Sequence, residues 1–221
     1  VILELHSLPA SPKKRFLRAC KEATLIVCLT SLQKKELSSW GVPESKLLVE
    51  ADAVDLSRFA SSPSKENARN TCGLPGDRPV IGYVGGLQAI DMEKGVEVIL
   101  DAVMKLKYEG VPCLAWIVGG TESQQKSLRD RALLLGLKEG SDVLFKTRVS
   151  PGNVPAAMAA ADVLVYPAPA SAHPYFRRDT SPLKLFEYMA ARRPIVAADL
   201  PPLHDVVAAT DVFFFEPGSE A

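Results

Sequence analysis

VIGYVGGLQAIDMEKGVEVILDAV (Val80–Val103) decides the fold. Its first five residues, Val80–Val84, form a β-type apolar run and predict a strand. Gly85-Gly86 ends the run and opens a loop that closes on Lys94-Gly95. Val96, Ile99, Leu100 and Val103, with Leu106 beyond the quoted stretch, then recur at helical spacing. Strand, glycine loop and helix together make the first two-thirds of a βαβ unit.

The same order repeats along most of the chain. Strands are expected at Val1–Leu5, Thr24–Cys28, Leu47–Glu50, Val80–Val84, Leu114–Val118, Val143–Lys146, Val163–Tyr166, Ile195–Ala198 and Val212–Phe215. Helices are expected at Glu122–Leu135, Val154–Ala161 and Pro182–Ala191, besides the one after Lys94. Alternation at this pitch implies an α/β fold with Rossmann-like parallel sheets and helices on both faces. One boundary is legible. ADAVDLSRFASSPSKENARN is polar, serine-rich and strandless, and a new βα series begins near Val80. Residues 1–52 read as the tail of one domain, 53–64 as a crossover and 65–221 as most of a second. Val1 opens directly into a strand-like run, and FFFEPGSEA ends as abruptly. A fragment of a longer protein, lacking the last helices of its second domain, is therefore expected.

Bulk composition excludes several classes. The chain has 221 residues, 47% of them hydrophobic, enough for a sizeable core. Its 26 Lys and Arg balance its 26 Asp and Glu with no charge block, which argues against nucleic acid as a partner. Cys20, Cys28, Cys72 and Cys113 lack CxxC spacing, so neither a zinc site nor a disulfide framework is expected. A reducing, cytoplasmic location is therefore expected. No run reaches transmembrane length, and VILELH lacks the charged leader of a signal peptide.

In open α/β sheets ligands bind beyond the carboxyl ends of strands. Gly85, Gly86, Lys94 and Gly95 there read as a phosphate loop, or as a tight turn with a solvated lysine. Neither GxxxxGK[ST] nor a GxGxxG fingerprint is present. The segment RRDTSPLKLFEYMA (Arg177–Ala190) reads as a helix start, with Ser181 as cap and Pro182 at the first position. Lys184 then places a cation where the helix dipole is already positive. A pyrophosphate held by the Leu183 and Lys184 amides would explain it, whereas in the plainer reading the lysine swings into water. Asp179 and Glu187 could accept hydrogen bonds from sugar hydroxyls, or serve as a dipole-complementing charge and a surface glutamate.

DTSPLKLFEYMAARRPIVAAD resembles the signature segment of the family-4 retaining glycosyltransferases (glycosyl transferases group 1), which have the GT-B fold. The family pattern has two acids separated by seven residues, and Asp179 and Glu187 match it. VILELHSLP resembles the end of the acceptor-domain sheet, ATLIVCLTSLQKKEL the strand and helix before the crossover, and DAVDLSRF the crossover. VIGYVGGLQAIDMEKGVEVILDAV resembles the first strand, phosphate loop and helix of the donor domain, and ADVLVYPAP the strand into the signature loop.

The resemblance implies a nearly complete C-terminal donor domain behind the tail of an N-terminal one. It implies a nucleotide-diphosphate sugar as donor, no metal, no cofactor, and transfer with retention. Glu187 would hold ribose hydroxyls and Asp179 the donor sugar. Lys94 and Lys184 would stabilise the leaving diphosphate. Gly85, Gly86 and the turn Thr180, Ser181, Pro182 and Leu183 would line the phosphates. Phe145–Arg148 would flank the base, and His6 would reach the sugar or the reaction centre from the other domain. Two departures stand out. Gly86 replaces the family's usual arginine, for which Arg177, Arg178 or Arg148 would compensate, and Asp179 replaces the commoner glutamate. The acceptor would be a glycan, a lipid or a small molecule. Any peripheral contact with the inner face of a membrane would come through missing parts of the parent, without which the fragment is expected to be inactive. The alternatives are a non-catalytic nucleotide-sugar-binding module, a GT-B-fold epimerase and an NAD-binding Rossmann enzyme.

Overall fold

The computed structural model describes residues 1–219. They form two compact units. The first comprises Val1–Ala53 together with Ser171–Leu183 and Asp199–Ala208. The second comprises Val54–Ala170, Lys184–Ala198 and the chain from Ala209 onward. The first break follows Ala53, within the polar stretch ADAVDLSRFASSPSKENARN. The two later segments in the first unit have no strand or charge pattern that marks them beforehand.

In the first unit, β1 (Ile2–Leu5), β2 (Leu25–Cys28) and β3 (Leu47–Val49) make a parallel sheet in that order. The helices α1 (Lys14–Glu22) and α2 (Ser31–Ser39) connect them. Cys20, Ile26, Cys28 and Leu37 are sealed in its core. Thr30 caps α2 by accepting from Gln33 N–H at 3.1 Å. The segments Ser171–Leu183 and Asp199–Ala208 are tied to this same helix start. Thr30 Oγ1 donates to Arg178 O at 2.7 Å, and Ser31 N–H and Oγ–H donate to the Asp205 carboxylate at 2.6 and 2.7 Å.

The second unit starts with α3 (Ser57–Ala60) and α4 (Lys65–Cys72), then runs β4 (Val80–Val84), the two-residue strands β5 (Gln88–Ala89) and β6 (Met92–Glu93), and α5 (Glu97–Tyr108). It continues through β7 (Leu114–Val118), α6 (Glu122–Leu134), β8 (Val143–Lys146), α7 (Val154–Ala159), β9 (Val163–Tyr166), α8 (Leu183–Ala190), β10 (Ile195–Ala198) and β11 (Phe213–Phe215). Six strands form one parallel sheet in the order β11-β10-β9-β4-β7-β8. The chain thus grows outward from β4 through β7 to β8, then returns to the other side of β4 with β9. That is the doubly wound order with its switch point between β4 and β9. All five residues of β7 are buried, as a strand covered on both faces requires. The core gathers Leu100, Ala115, Ile117 and Val143 between sheet and helices.

Five expected strands, from Val80–Val84 to Ile195–Ala198, have the observed limits. The helix around Lys184 begins at Leu183, one residue after Pro182. The loop expected before it contains a π-helical turn, Tyr175–Asp179. At its far end α8 closes with Arg192 in the left-handed region (φ 55°), a position that favours glycine. At the amino edge of β4, Asp162 accepts from Val80 N–H (2.8 Å) and Lys65 Nζ (2.7 Å), and pairs with the buried Arg69 of α4.

Candidate functional site

A cleft of about 240 Å³ opens in the second unit at the carboxyl ends of β4 and β7. Gly85, Gly86, Gly119, Gly120, Arg148 and Lys184 line it, with Arg58 of α3. The loops after β4 and β7 lie backbone against backbone there. Gly119 has φ +135°, and a Cβ on it would sit 1.7 Å from Gly85 O. Gly95 (φ +73°) also packs closely at the switch point, where a Cβ would be 2.7 Å from the Ala168 carbonyl carbon in the loop after β9. No side chain fits at either place, and the backbone itself forms the floor.

The side chains over that floor come from α8. Tyr188 is fully buried, and its hydroxyl accepts from Val84 N–H at 3.1 Å and donates to Val84 O at 3.4 Å. Burial pushes its phenol well above the usual tyrosine range, so it stays protonated. This clamp fixes α8 to the last residue of β4. One turn earlier, Lys184 passes over Gly85, where a Cβ would meet Lys184 Cε at 3.1 Å. Lys184 Nζ donates to Glu187 Oε2 at 2.6 Å. The cation in the first turn of α8 is thus matched within the helix, at i,i+3. Glu187 is 5% exposed, and its other oxygen lies 3.7 Å from Arg58 Nη1.

Lys94, just after β6, is the second lysine. It is partly buried, and its ammonium has no carboxylate within 4.0 Å among the described residues. Burial, and then repulsion from Lys184, lowers its pKa below the usual 10.5. Arg148 is exposed at the cleft wall, its backbone N–H donating to Gly120 O at 3.1 Å. The second unit therefore brings together Gly85, Gly86, Lys94, Arg148, Lys184 and Glu187.

The remaining predicted residues belong to the first unit. Asp179 is 4% exposed. One of its oxygens accepts from Arg178 Nε (2.8 Å) and Gln33 Nε2 (3.2 Å), the other from Arg178 Nη2 (3.0 Å) and Leu8 N–H (3.5 Å). Arg178 also donates to Leu8 O at 2.9 Å, so its guanidinium is committed within this unit. Thr180 N–H donates to Tyr175 O at 2.8 Å, Ser181 Oγ accepts from Asp52 N–H at 2.9 Å, and Leu183 N–H donates to Ser181 O at 2.9 Å. Pro182 is buried. His6 is exposed beside Glu4, at 3.1 Å.

Sequence reasoning missed Arg58. It stands in DAVDLSRF, whose pattern marks a crossover and not a charge. Only folding sets it against Glu187 and within 3.3 Å of Pro151 O. No group of three or more His, Cys, Asp or Glu comes together among the described residues. Nor is any helix among them long and apolar enough to cross a membrane.

A family profile described as glycosyl transferases group 1 matches residues 78–221. The chain belongs to this family. Among curated relatives it is 30% identical over 173 residues to the D-inositol 3-phosphate glycosyltransferase of Corynebacterium urealyticum, covering 75% of this chain and 38% of that protein. Among solved structures it resembles Anabaena HepE in complex with UDP-glucose, with TM-score 0.72 and 22% identity over 99% of this chain and 59% of the other. It also resembles a glycosyltransferase from Rickettsia africae, with TM-score 0.77 and 16% identity over 99% of this chain and 57% of the other. At such identities the likeness shows the GT-B fold alone. The chain spans about half the length of these structures and less of the curated relative.

Proposed function

We propose that the second unit is the donor-binding part of a retaining glycosyltransferase, and that its cleft holds the diphosphate of a nucleotide sugar. The observation that carries this reading is Lys94. It is a partly buried ammonium with no carboxylate within 4.0 Å among the described residues, and it is repelled by Lys184, which lies over Gly85 at the carboxyl end of β4. Cations held this way lower the free energy of an anion more than that of the empty site.

Glycosyl transfer breaks the bond between the anomeric carbon and the diphosphate. Negative charge grows on the leaving oxygens as the sugar becomes oxocarbenium-like, so Lys94 and Lys184 stabilise the transition state beyond the ground state. The Gly86 amide completes the diphosphate cradle, beside Gly85, whose own N–H is held by Val118 O at 2.9 Å. Glu187 accepts from the ribose hydroxyls, and Arg148 flanks the nucleobase. Asp179 has its four lone-pair positions occupied, so we assign it to holding the turn of Tyr175–Asp179 and not to the sugar. No step is routed through His6. The acceptor, whether glycan, lipid or small molecule, and the location at or near a cytoplasmic membrane face belong to the longer protein in which we place this chain.

The reading is tested by thermal unfolding with UDP and GDP, and by transfer assays in the full-length protein. A diphosphate at 100 times its Kd adds about 2.7 kcal/mol of stability. Stabilisation by neither nucleotide overturns the proposal. Gly86, in place of a loop arginine, favours one second reading, a module that binds nucleotide sugars without turning them over. Binding without transfer in the full-length protein would establish that reading instead.

A further inference from the structure

A second cavity, of about 300 Å³, lies in the second unit where α8 hands over to β10. This is the amino end of β10, whereas the donor cleft opens at the carboxyl ends of β4 and β7. Arg192, Arg193 and Ser62 line it, with Phe59 and Ala159 as its apolar walls, and no acidic residue is among its lining residues.

Neither arginine has a carboxylate within 4.0 Å among the described residues. Arg193 is half-buried and donates from Nη2 to Ala159 O at 2.7 Å, but its sealed Nε finds no acceptor. Ser62 Oγ is sealed and unpaired beside it. Buried donors of this kind are rare in folded proteins and ask for a reason. Arg192, the left-handed residue that closes α8 (φ 55°), stands at the cavity's lining next to Arg193.

We propose that this cavity is a second anion site, which binds a phosphate monoester or inorganic phosphate through the two guanidinium groups. Planar guanidinium forks suit phosphate oxygens in pairs. The site stands whether or not the donor reading does.

The test uses full-length protein with Lys94→Ala and Lys184→Ala, which removes the two lysines assigned to the diphosphate and leaves Arg58 and Arg148 in the donor cleft. Calorimetry with inorganic phosphate should still show binding. Adding Arg192→Gly, which suits the left-handed backbone and so keeps the fold, should weaken that binding at least tenfold. Vesicles of phosphatidylcholine with and without phosphatidic acid then separate a lipid headgroup from a free phosphate as the source. Absence of phosphate binding in the Lys94→Ala/Lys184→Ala protein overturns the proposal. So does binding that Arg192→Gly leaves unchanged.

Discussion

Replacing Lys94 with Met should make the free protein more stable and the liganded protein less so. The methionine keeps an apolar stem in the partly buried position and removes only the charge. In the free protein that charge is unfavourable, because burial and Lys184 both lower its pKa. At an effective dielectric near 20, two like charges repel by roughly 4 kcal/mol at about 4 Å and by about half that at twice the separation. Glu187 offsets part of this by neutralising Lys184, which leaves a gain on the order of 1 kcal/mol. In a protein of this size that raises Tm by about 2–4 °C. With UDP bound the sign reverses. A cation-phosphate contact near 4 Å is worth roughly 4 kcal/mol before desolvation, so the variant should bind UDP about 10- to 100-fold more weakly. Differential scanning fluorimetry with and without UDP reads both effects. The pH dependence is fixed by the same shift. Below the lowered pKa of Lys94 the folded and unfolded chains are both protonated, and the penalty is present in full. Between that pKa and 10.5 the folded chain releases its proton first, so wild-type stability gains a rising contribution with pH that the variant lacks. A free variant with a lower Tm than wild type would refute the claim that Lys94 is an uncompensated cation.

Three further outcomes are expected. Glu187→Ala removes the partner of Lys184 and Arg58, and should cut transfer at least tenfold, about 1.4 kcal/mol, in steady-state kinetics of the full-length protein. Tyr188→Phe leaves Val84 N–H without its acceptor and should cost about 1–3 kcal/mol in urea unfolding, with weaker UDP binding as α8 loosens. Burial raises the Asp162 carboxyl, but bonds from Lys65 and Val80 N–H and the charge of Arg69 outweigh it and hold the pKa below 3.8. Its contribution is therefore complete above 3.8 and is lost as pH falls through the lowered value. Acid titration of Asp162→Asn should show a correspondingly shallower loss.

The sheet of the second unit was legible because its strands carry their own signal. Val80–Val84 and Leu114–Val118 are apolar runs closed by glycine pairs, and burial on both faces demands such runs. Helix α4 was not legible, since KENARNTC has no apolar stripe. It is held by Arg69, whose carboxylate partner lies 93 residues away. The hairpin of β5 and β6 was equally hidden. Its turn, Ile90-Asp91, takes positive φ at both residues without the Asn-Gly that announces such turns. Within the candidate site, Lys94, Lys184 and Glu187 could be singled out from local spacing and resemblance. The saturation of Asp179 could not, because its partners Gln33 and Leu8 arrive from 146 and 171 residues away. Arg58 was missed for the same reason, its meaning set by a carboxylate on a helix far along the chain.

The contact of Gly119 with Gly85 gives mutational data on this cleft a particular ambiguity. A side chain at 119 need never reach a nucleotide to abolish its binding, because the first atom it displaces belongs to the loop after β4. A substitution scan would thus score position 119 alongside Lys94 and Lys184, although it contributes no charge and no donor. Charge-conserving swaps separate the two kinds of position. Arginine in place of lysine should retain part of the binding at 94 and 184, while at 119 no residue with a Cβ should be tolerated.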